Sequence, residues 1–275
     1  MGILSLPNEL LLLIADDLLV KDLASFLSAN RRLSTLLTPY LQKIALQDVG
    51  RCPALLWAVI YGHAPLAELV ISKGAKVNTL CSDDDGQTPL HVAAELDHPD
   101  VIRVLVKRGA RIDAKNRDLH TPLHRAVYCG SPLAVRVLLE LGADVTCTDR
   151  LRDSPAYAAS RLGNIDGLRP FLDAGLDFND RDVEGRTILH VAVRRGILGG
   201  GFSSDRGLGM VGFLLDNGGV GIINAQDSSG GTPLHVAGVH VFPPRKVIRL
   251  LLRYGADPEV KDVAGRKPNL RHDPP

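Results

Sequence analysis

Aromatic residues are scarce in this 275-residue chain, 4% in all with a single Trp. That scarcity excludes a tryptophan-lined carbohydrate surface or an aromatic membrane belt. Net charge is nearly absent as well: 32 Lys and Arg stand against 31 Asp and Glu, a formal +1. Bulk electrostatic attraction to nucleic acid or to an anionic membrane is excluded with it. The four cysteines, Cys52, Cys81, Cys129 and Cys147, form no C-x-x-C pair. A zinc ribbon or thioredoxin-like site is therefore not expected, and scattered cysteines in a chain this long read as reduced thiols. The N-terminal apolar run is interrupted by Asp16 and Asp17 and lacks a basic flank. It is too short for a membrane span and wrong for a signal peptide. No N-x-S/T acceptor occurs, and neither does G-x-x-x-x-G-K, G-x-S-x-G or H-E-x-x-H. The expectation is a soluble, non-enzymatic protein of the cytoplasm or nucleus, with no cofactor, no metal, no nucleic acid and no membrane partner.

What the sequence has is a repeat. Thr88-Pro89-Leu90-His91 returns as Thr121-Pro122-Leu123-His124 after 33 residues, then as Ser154-Pro155-Ala156-Tyr157 and Thr187-Ile188-Leu189-His190 at the same interval. Thr232-Pro233-Leu234-His235 follows after 45, one period plus 12 residues. Small residues keep the register at Ala93, Ala126, Ala159, Ala192 and Ala237. Asp or Asn stands five before each motif, at Asp83, Asn116, Asp149, Asp182 and Asp227, and Asp262 opens a truncated copy. Gly closes each unit at Gly109, Gly142, Gly175, Gly218 and Gly255. A degenerate first copy runs from Leu55-Leu56-Trp57-Ala58 to Gly74-Ala75.

These residues resemble the ankyrin repeat over residues 53–270, about six copies with the last followed by the truncated one. The fold class this implies is all-α, an ankyrin-repeat α-solenoid with β-hairpin loops. The residue chemistry agrees. Thr or Ser caps the first helix of each unit and Pro fits its first turn. Pairs such as Leu105/Val106 and Leu138/Leu139 make the apolar face of the second helix. Gly ends that helix, and the Asp position begins a hairpin turn. Two departures carry expectations. Ser154 and Tyr157 replace Thr and His in the third full copy, which predicts weaker hydrogen bonding to the next repeat. Residues 197–210, GILGGGFSSDRGLGM with its neighbours, read as a mobile inserted loop because of their Gly and Ser content.

The first fifty residues lack the period. Apolar positions at 10, 14 and 18, then 23, 26 and 27, then 33, 36 and 37 follow helical spacing, with Pro7 and Asp22 as start signals. Leu6-Pro7, Glu9, Ile14, Asp22-Leu23 and Arg31 or Arg32 before Leu33 resemble an F-box. Asn30 and Leu33 stand where that family usually carries Cys and Trp. The resemblance implies a three-helix domain at 1–45 docking a Skp-type linker subunit through Leu6, Pro7, Leu10, Ile14, Leu18, Leu23, Phe26, Leu27 and Leu33. Residues 46–52 then form a linker and 271–275 a disordered tail. The alternative is a helical cap on the exposed end of the stack, which any solenoid needs.

Three constellations imitate chemistry. The T-P-L-H histidines lie one repeat apart, roughly 10 Å in a typical stack and too far to share a proton; they read as rings holding neighbours together. Gly207-Leu208-Gly209-Met210-Val211-Gly212 matches a dinucleotide fingerprint but lacks the strand before it and the acidic residue after it. Asp83-Asp84-Asp85-Gly86 lacks the further ligands of a calcium loop. What remains is a binding surface. Inward positions of the first helices and the hairpin tips supply Trp57, Tyr61, Arg125, Tyr128, Arg150, Arg152, Arg161, Arg194 and Arg195. The family resemblance then implies a substrate-recognition subunit of a cullin–RING ubiquitin ligase whose ankyrin groove binds an acidic or phosphorylated target, or else a ligase-independent scaffold.

Overall fold

The computed structural model describes residues 53–81, 85–198, 204–239 and 245–270. The segment 1–45 expected to be F-box-like, with the nine residues expected to dock a linker, the 46–52 stretch, Asp83 and Asp84, and residues 271–275 lie outside the described residues. Helices come in antiparallel pairs: α1 (Pro53–Ile60) with α2 (Ala64–Ser72), α3 (Pro89–Glu95) with α4 (Pro99–Lys107), and α5 (Pro122–Cys129) with α6 (Pro132–Glu140). The series continues with α7 (Pro155–Leu162) and α8 (Ile165–Asp173), α9 (Ile188–Leu198) and α10 (Ser204–Asp216), and α11 (Pro233–Gly238) and α12 (Arg245–Arg253). Among the described residues there is no strand, and no helix is long and apolar enough to cross a membrane.

Sequence explains each pair. Thr121 adopts extended backbone and its hydroxyl accepts from the His124 N–H, with Pro122 in the first turn. Ala93, Ala126, Ala159, Ala192 and Ala237 are fully buried, so first helices of successive repeats approach closely. Val70, Leu105, Leu138, Phe171, Leu214 and Leu251 fill the layer between first and second helices. No unit could bury these residues alone, so the core is one continuous column shared between neighbours. Each second helix stops at a glycine with φ between 84° and 113°, from Gly109 to Gly255, a conformation other residues rarely adopt.

The loops are hairpins reduced to turns. Asp149 Oδ1 accepts from the Leu151 and Asp153 N–H groups at 2.7 and 3.0 Å, and Asp149 N–H closes the turn on Asp153 O at 3.1 Å. Asn116, Asp182, Asp227 and Asp262 do the same, which is why the position is Asp or Asn. In the truncated copy the strip after Arg266 packs back on α11: a Cβ on Gly238 would stand 2.8 Å from the Asn269 backbone.

Two expectations are corrected. The stretch read as a mobile loop is helical from Ser204 onward, and Met210 and Val211 are fully buried. Cβ atoms at Gly209 and Gly212 would make ordinary contact with Ile165 and Leu250, so the space there does not demand glycine. The fingerprint-like run thus lies inside α10 rather than at a strand-to-helix turn. Tyr157 does not weaken its junction at the helices: its hydroxyl reaches Asp180 O at 2.6 Å and Arg186 O at 3.0 Å in the next repeat.

Candidate functional site

The column is tied by rings at the base of each hairpin. Thr88, Thr121, Thr187 and Thr232 donate backbone N–H to Nδ1 of His91, His124, His190 and His235 at 3.1–3.2 Å. An accepting Nδ1 puts the proton on Nε2, which donates to His120 O, Asp153 O, Gly231 O and Arg266 O of the following repeat at 3.0–3.1 Å. Burial holds His91, His124 and His190 below the ordinary 6.5, His124 down to about 4. These rings are therefore neutral at pH 7 and structural.

The inward face carries a charged network that the repeat pattern alone does not reveal. Arg125 pairs with Glu95 of the preceding repeat. Arg161 pairs with Asp153 and also donates to the Tyr128 hydroxyl at 2.6 Å, with its guanidinium 5.8 Å from that ring. Tyr128 in turn donates to Asp149 Oδ2 at 2.7 Å. Burial, then the bond to Asp149, pushes the Tyr128 phenol up, and burial pushes the Asp153 carboxyl up against the pull of Arg161. Burial draws the Arg125 and Arg161 guanidiniums down, but their carboxylate bonds outweigh it and hold both above the usual value.

The structure thus sorts the candidate residues. Trp57 is buried and stacks on Tyr61 at 4.7 Å, so of the two it is Tyr61, 55% exposed, that offers contact area. Arg125 and Arg161 face inward but are already paired. Arg150 donates to Arg117 O at 2.6 and 3.0 Å and lies 3.5 Å from Asp118. Arg194 is exposed, and among the described residues no carboxylate meets it; the side chain of Arg195 is outside the described residues. Arg152 is exposed at a tip, in left-handed backbone with φ 63°. Among the described residues no group of three or more His, Cys, Asp or Glu could hold a metal ion. Of the carboxylates that neutralise the groove, Glu95 is readable from the repeat register as an inward position, whereas Asp153 was not among the sequence candidates; its signal was a place one hairpin from an inward Arg.

The family described as Ankyrin repeats (3 copies) matches residues 24–116, 55–149, 123–200 and 156–262. The first match begins inside the 1–45 segment. Fem-1 homolog C of human, mouse and cattle is 43% identical over 68 residues, 25% of this chain. Protein phosphatase 1 regulatory subunit 27 of mouse is 38% identical over 65 residues, 24% of this chain. The matches span only 10% and 41% of those relatives' lengths. The crystal structure of the ankyrin repeat domain of Bcl-3, described as a unique member of the IkappaB protein family, superposes with a TM-score of 0.65 at 28% identity. It covers 78% of this chain and 91% of that one. The human ASB11 ankyrin repeat domain gives 0.57 at 26% identity, covering 78% and 88%. With family matches running from residue 24 to 262, the chain belongs to the ankyrin-repeat family, whose stacks are typically non-catalytic protein-binding scaffolds.

Proposed function

We propose that this scaffold is the substrate-recognition subunit of an SCF-type cullin–RING ubiquitin ligase, acting in the cytoplasm or nucleus. Residues 1–45 dock a Skp-type linker, and the ankyrin face holds the protein to be ubiquitinated. The observation that carries the target-binding half is the inward face itself: Tyr61 stands exposed after α1 and Arg194 on α9, while the paired Arg125 and Arg161 between them give a fixed shape. Exposed aromatics and Arg are common interface anchors. The Leu6-Pro7 start and the apolar series through Leu33 support the docking half. Such a receptor contributes proximity, raising the effective concentration of target lysines near the ubiquitin-loaded enzyme.

A second reading, a ligase-independent scaffold, is favoured by the family match that starts at residue 24, within the would-be docking helices. The likeness to a phosphatase regulatory subunit fits that reading too. One experiment separates them: affinity purification of the tagged full chain followed by mass spectrometry, alongside Leu6→Ala/Pro7→Ala. Recovery of a Skp-type subunit with the wild type and its loss in the double variant supports the ligase reading. Recovery of other proteins only, unchanged by the substitutions, supports the scaffold.

A further inference from the structure

Hairpin tips in this stack are joined one to the next by a backbone bond. Arg117 N–H donates to Asp85 O at 3.1 Å, Arg150 to Asp118 O at 3.3 Å, Ser228 to Glu184 O at 3.0 Å and Val263 to Ser229 O at 3.0 Å. The equivalent pair between the third and fourth full copies is Val183 and Leu151, and among the described residues no such bond joins them. A second tie fails at the same place. Lys115 Nζ reaches Thr148 O at 3.3 Å, Arg181 Nη1 reaches Gln226 O at 2.7 Å and Gln226 Nε2 reaches Lys261 O at 3.0 Å. Thr148 holds the corresponding position at the open junction, and its side chain is too short to make the bridge.

The cause lies one residue past each tip. That residue is Gly86, Leu119, Arg152, Gly185 or Gly230, always with φ between 61° and 73°. A Cβ on Gly185 would stand 2.9 Å from the Ser228 nitrogen, and one on Gly230 2.8 Å from the Val263 nitrogen. A side chain here is a wedge against the next hairpin. Leu119 carries one and has the longest tip bond of the four. Arg152 carries a larger one, and its tip bond is missing.

The wedge leaves a cleft of about 260 Å³ lined by Arg152, Arg181, Thr146, Thr148, Tyr157 and Val183, with Asp180 and Asp182 on the same wall. Leu151 and Val183 are each 63% exposed beside it. Charge defines what fits. Asp182 is already neutralised by Arg186 at 2.7 Å. Arg186 also meets Glu184 at 2.8 Å, and Arg181 Nη1 donates to Gly185 O and Gln226 O at 2.8 and 2.7 Å. Among the described residues no carboxylate or carbonyl meets the Arg152 guanidinium, so it is the cation of the cleft that can take a ligand. A carboxylate fits its planar fork bidentately.

We propose that this cleft docks an acidic segment of a protein partner: one Asp or Glu carboxylate held by the Arg152 fork, with a neighbouring aliphatic side chain on Leu151 and Val183. It rests on the protein-binding reading of the stack and is independent of the N-terminal docking segment. Arg in left-handed backbone, where four of the six copies place Gly, is the kind of local strain that a binding role explains.

The test selects binders from a display library of random peptides on the full chain, then measures their affinity for three proteins: wild type, Arg152→Gln and Arg152→Gly. The Gln variant keeps the wedge and removes the charge; the Gly variant removes both and lets the hairpins close. Expected are peptides enriched in Asp or Glu beside an aliphatic residue, bound about tenfold or more weakly by both variants. The Gly variant should melt at the wild-type temperature or higher. Selection of no peptide, no acidic enrichment, or wild-type affinity in both variants would overturn the proposal. Acidic peptides lost on Arg194→Glu but kept by Arg152→Gly would place the site on the inward face instead. Loss of binding in both variants, with no linker subunit recovered from cells, would uphold the cleft while removing the ligase reading.

Discussion

Arg161 of one repeat donates to the hydroxyl of Tyr128 in the repeat before it, at 2.6 Å, while pairing with the nearly buried Asp153. A row of inward arginines is thereby turned from a bare cationic surface into part of the scaffold. Arg161→Glu would set a third carboxylate beside Asp149 and Asp153, and should cost about 3–5 kcal/mol of stability. Arg194→Glu, on an exposed side chain that no carboxylate meets among the described residues, should stay within about 0.5 kcal/mol. Urea unfolding of the two variants checks the contrast; equal losses would contradict the network.

The histidine rings set an acid limit on the stack. His91, His124 and His190 are held below 6.5 by burial, so the folded state binds fewer protons than the unfolded chain. Their contribution is complete above pH 6.5 and is lost as pH falls toward 4. Protonation also removes the lone pair on Nδ1 that accepts the Thr N–H. From His124 alone the loss should approach about 3 kcal/mol over that window. Denaturant titrations between pH 7.5 and 4.5 should show a falling midpoint, most of it above the range where Asp144, Asp227 and Asp262, all held low, begin to protonate. A flat midpoint would show that the rings do not titrate as placed.

Tyr157→Phe deletes a hydroxyl and strands Asp180 O of the next repeat, while Arg186 O keeps the Asp182 N–H. A loss of about 2 kcal/mol is expected. An unchanged unfolding midpoint would mean that the junction is held by apolar packing alone.

Met210 is fully buried in α10, within the stretch whose composition suggests a loop. Met210→Ala should lower stability by about 3 kcal/mol. A melting temperature equal to the wild type would restore the loop reading.

The repeat was legible because each of its signals has a local cause. Asp149 needs a carboxylate for two N–H groups, Thr121 a hydroxyl for a helix start, and Ala126 a small side chain for a close approach. The α10 helix was not legible, because its glycines weaken the helical signal locally while Met210, Val211 and Leu214 gain their burial from neighbours that lie far away in sequence. The pairing of the inward arginines was hidden for the same reason: Glu95 lies 30 residues from Arg125, and Tyr128 lies 33 from Arg161. Tyr157 reads as a lost histidine, although its longer reach replaces the bond. Arg152 was named from the sequence as a hairpin-tip residue, and its register adds a second signal, since it stands where Gly86, Gly185, Gly230 and Gly265 fall.

Four tip-to-tip bonds close this stack, and one junction stands open beside Arg152. Amide hydrogen exchange resolved at single residues reads that difference directly. The Val183 N–H should exchange much faster than the equivalent Arg117, Arg150, Ser228 and Val263 amides, and Arg152→Gly should slow it to their level. Protection of Val183 equal to the other four in the wild type would contradict the open junction and the cleft it creates.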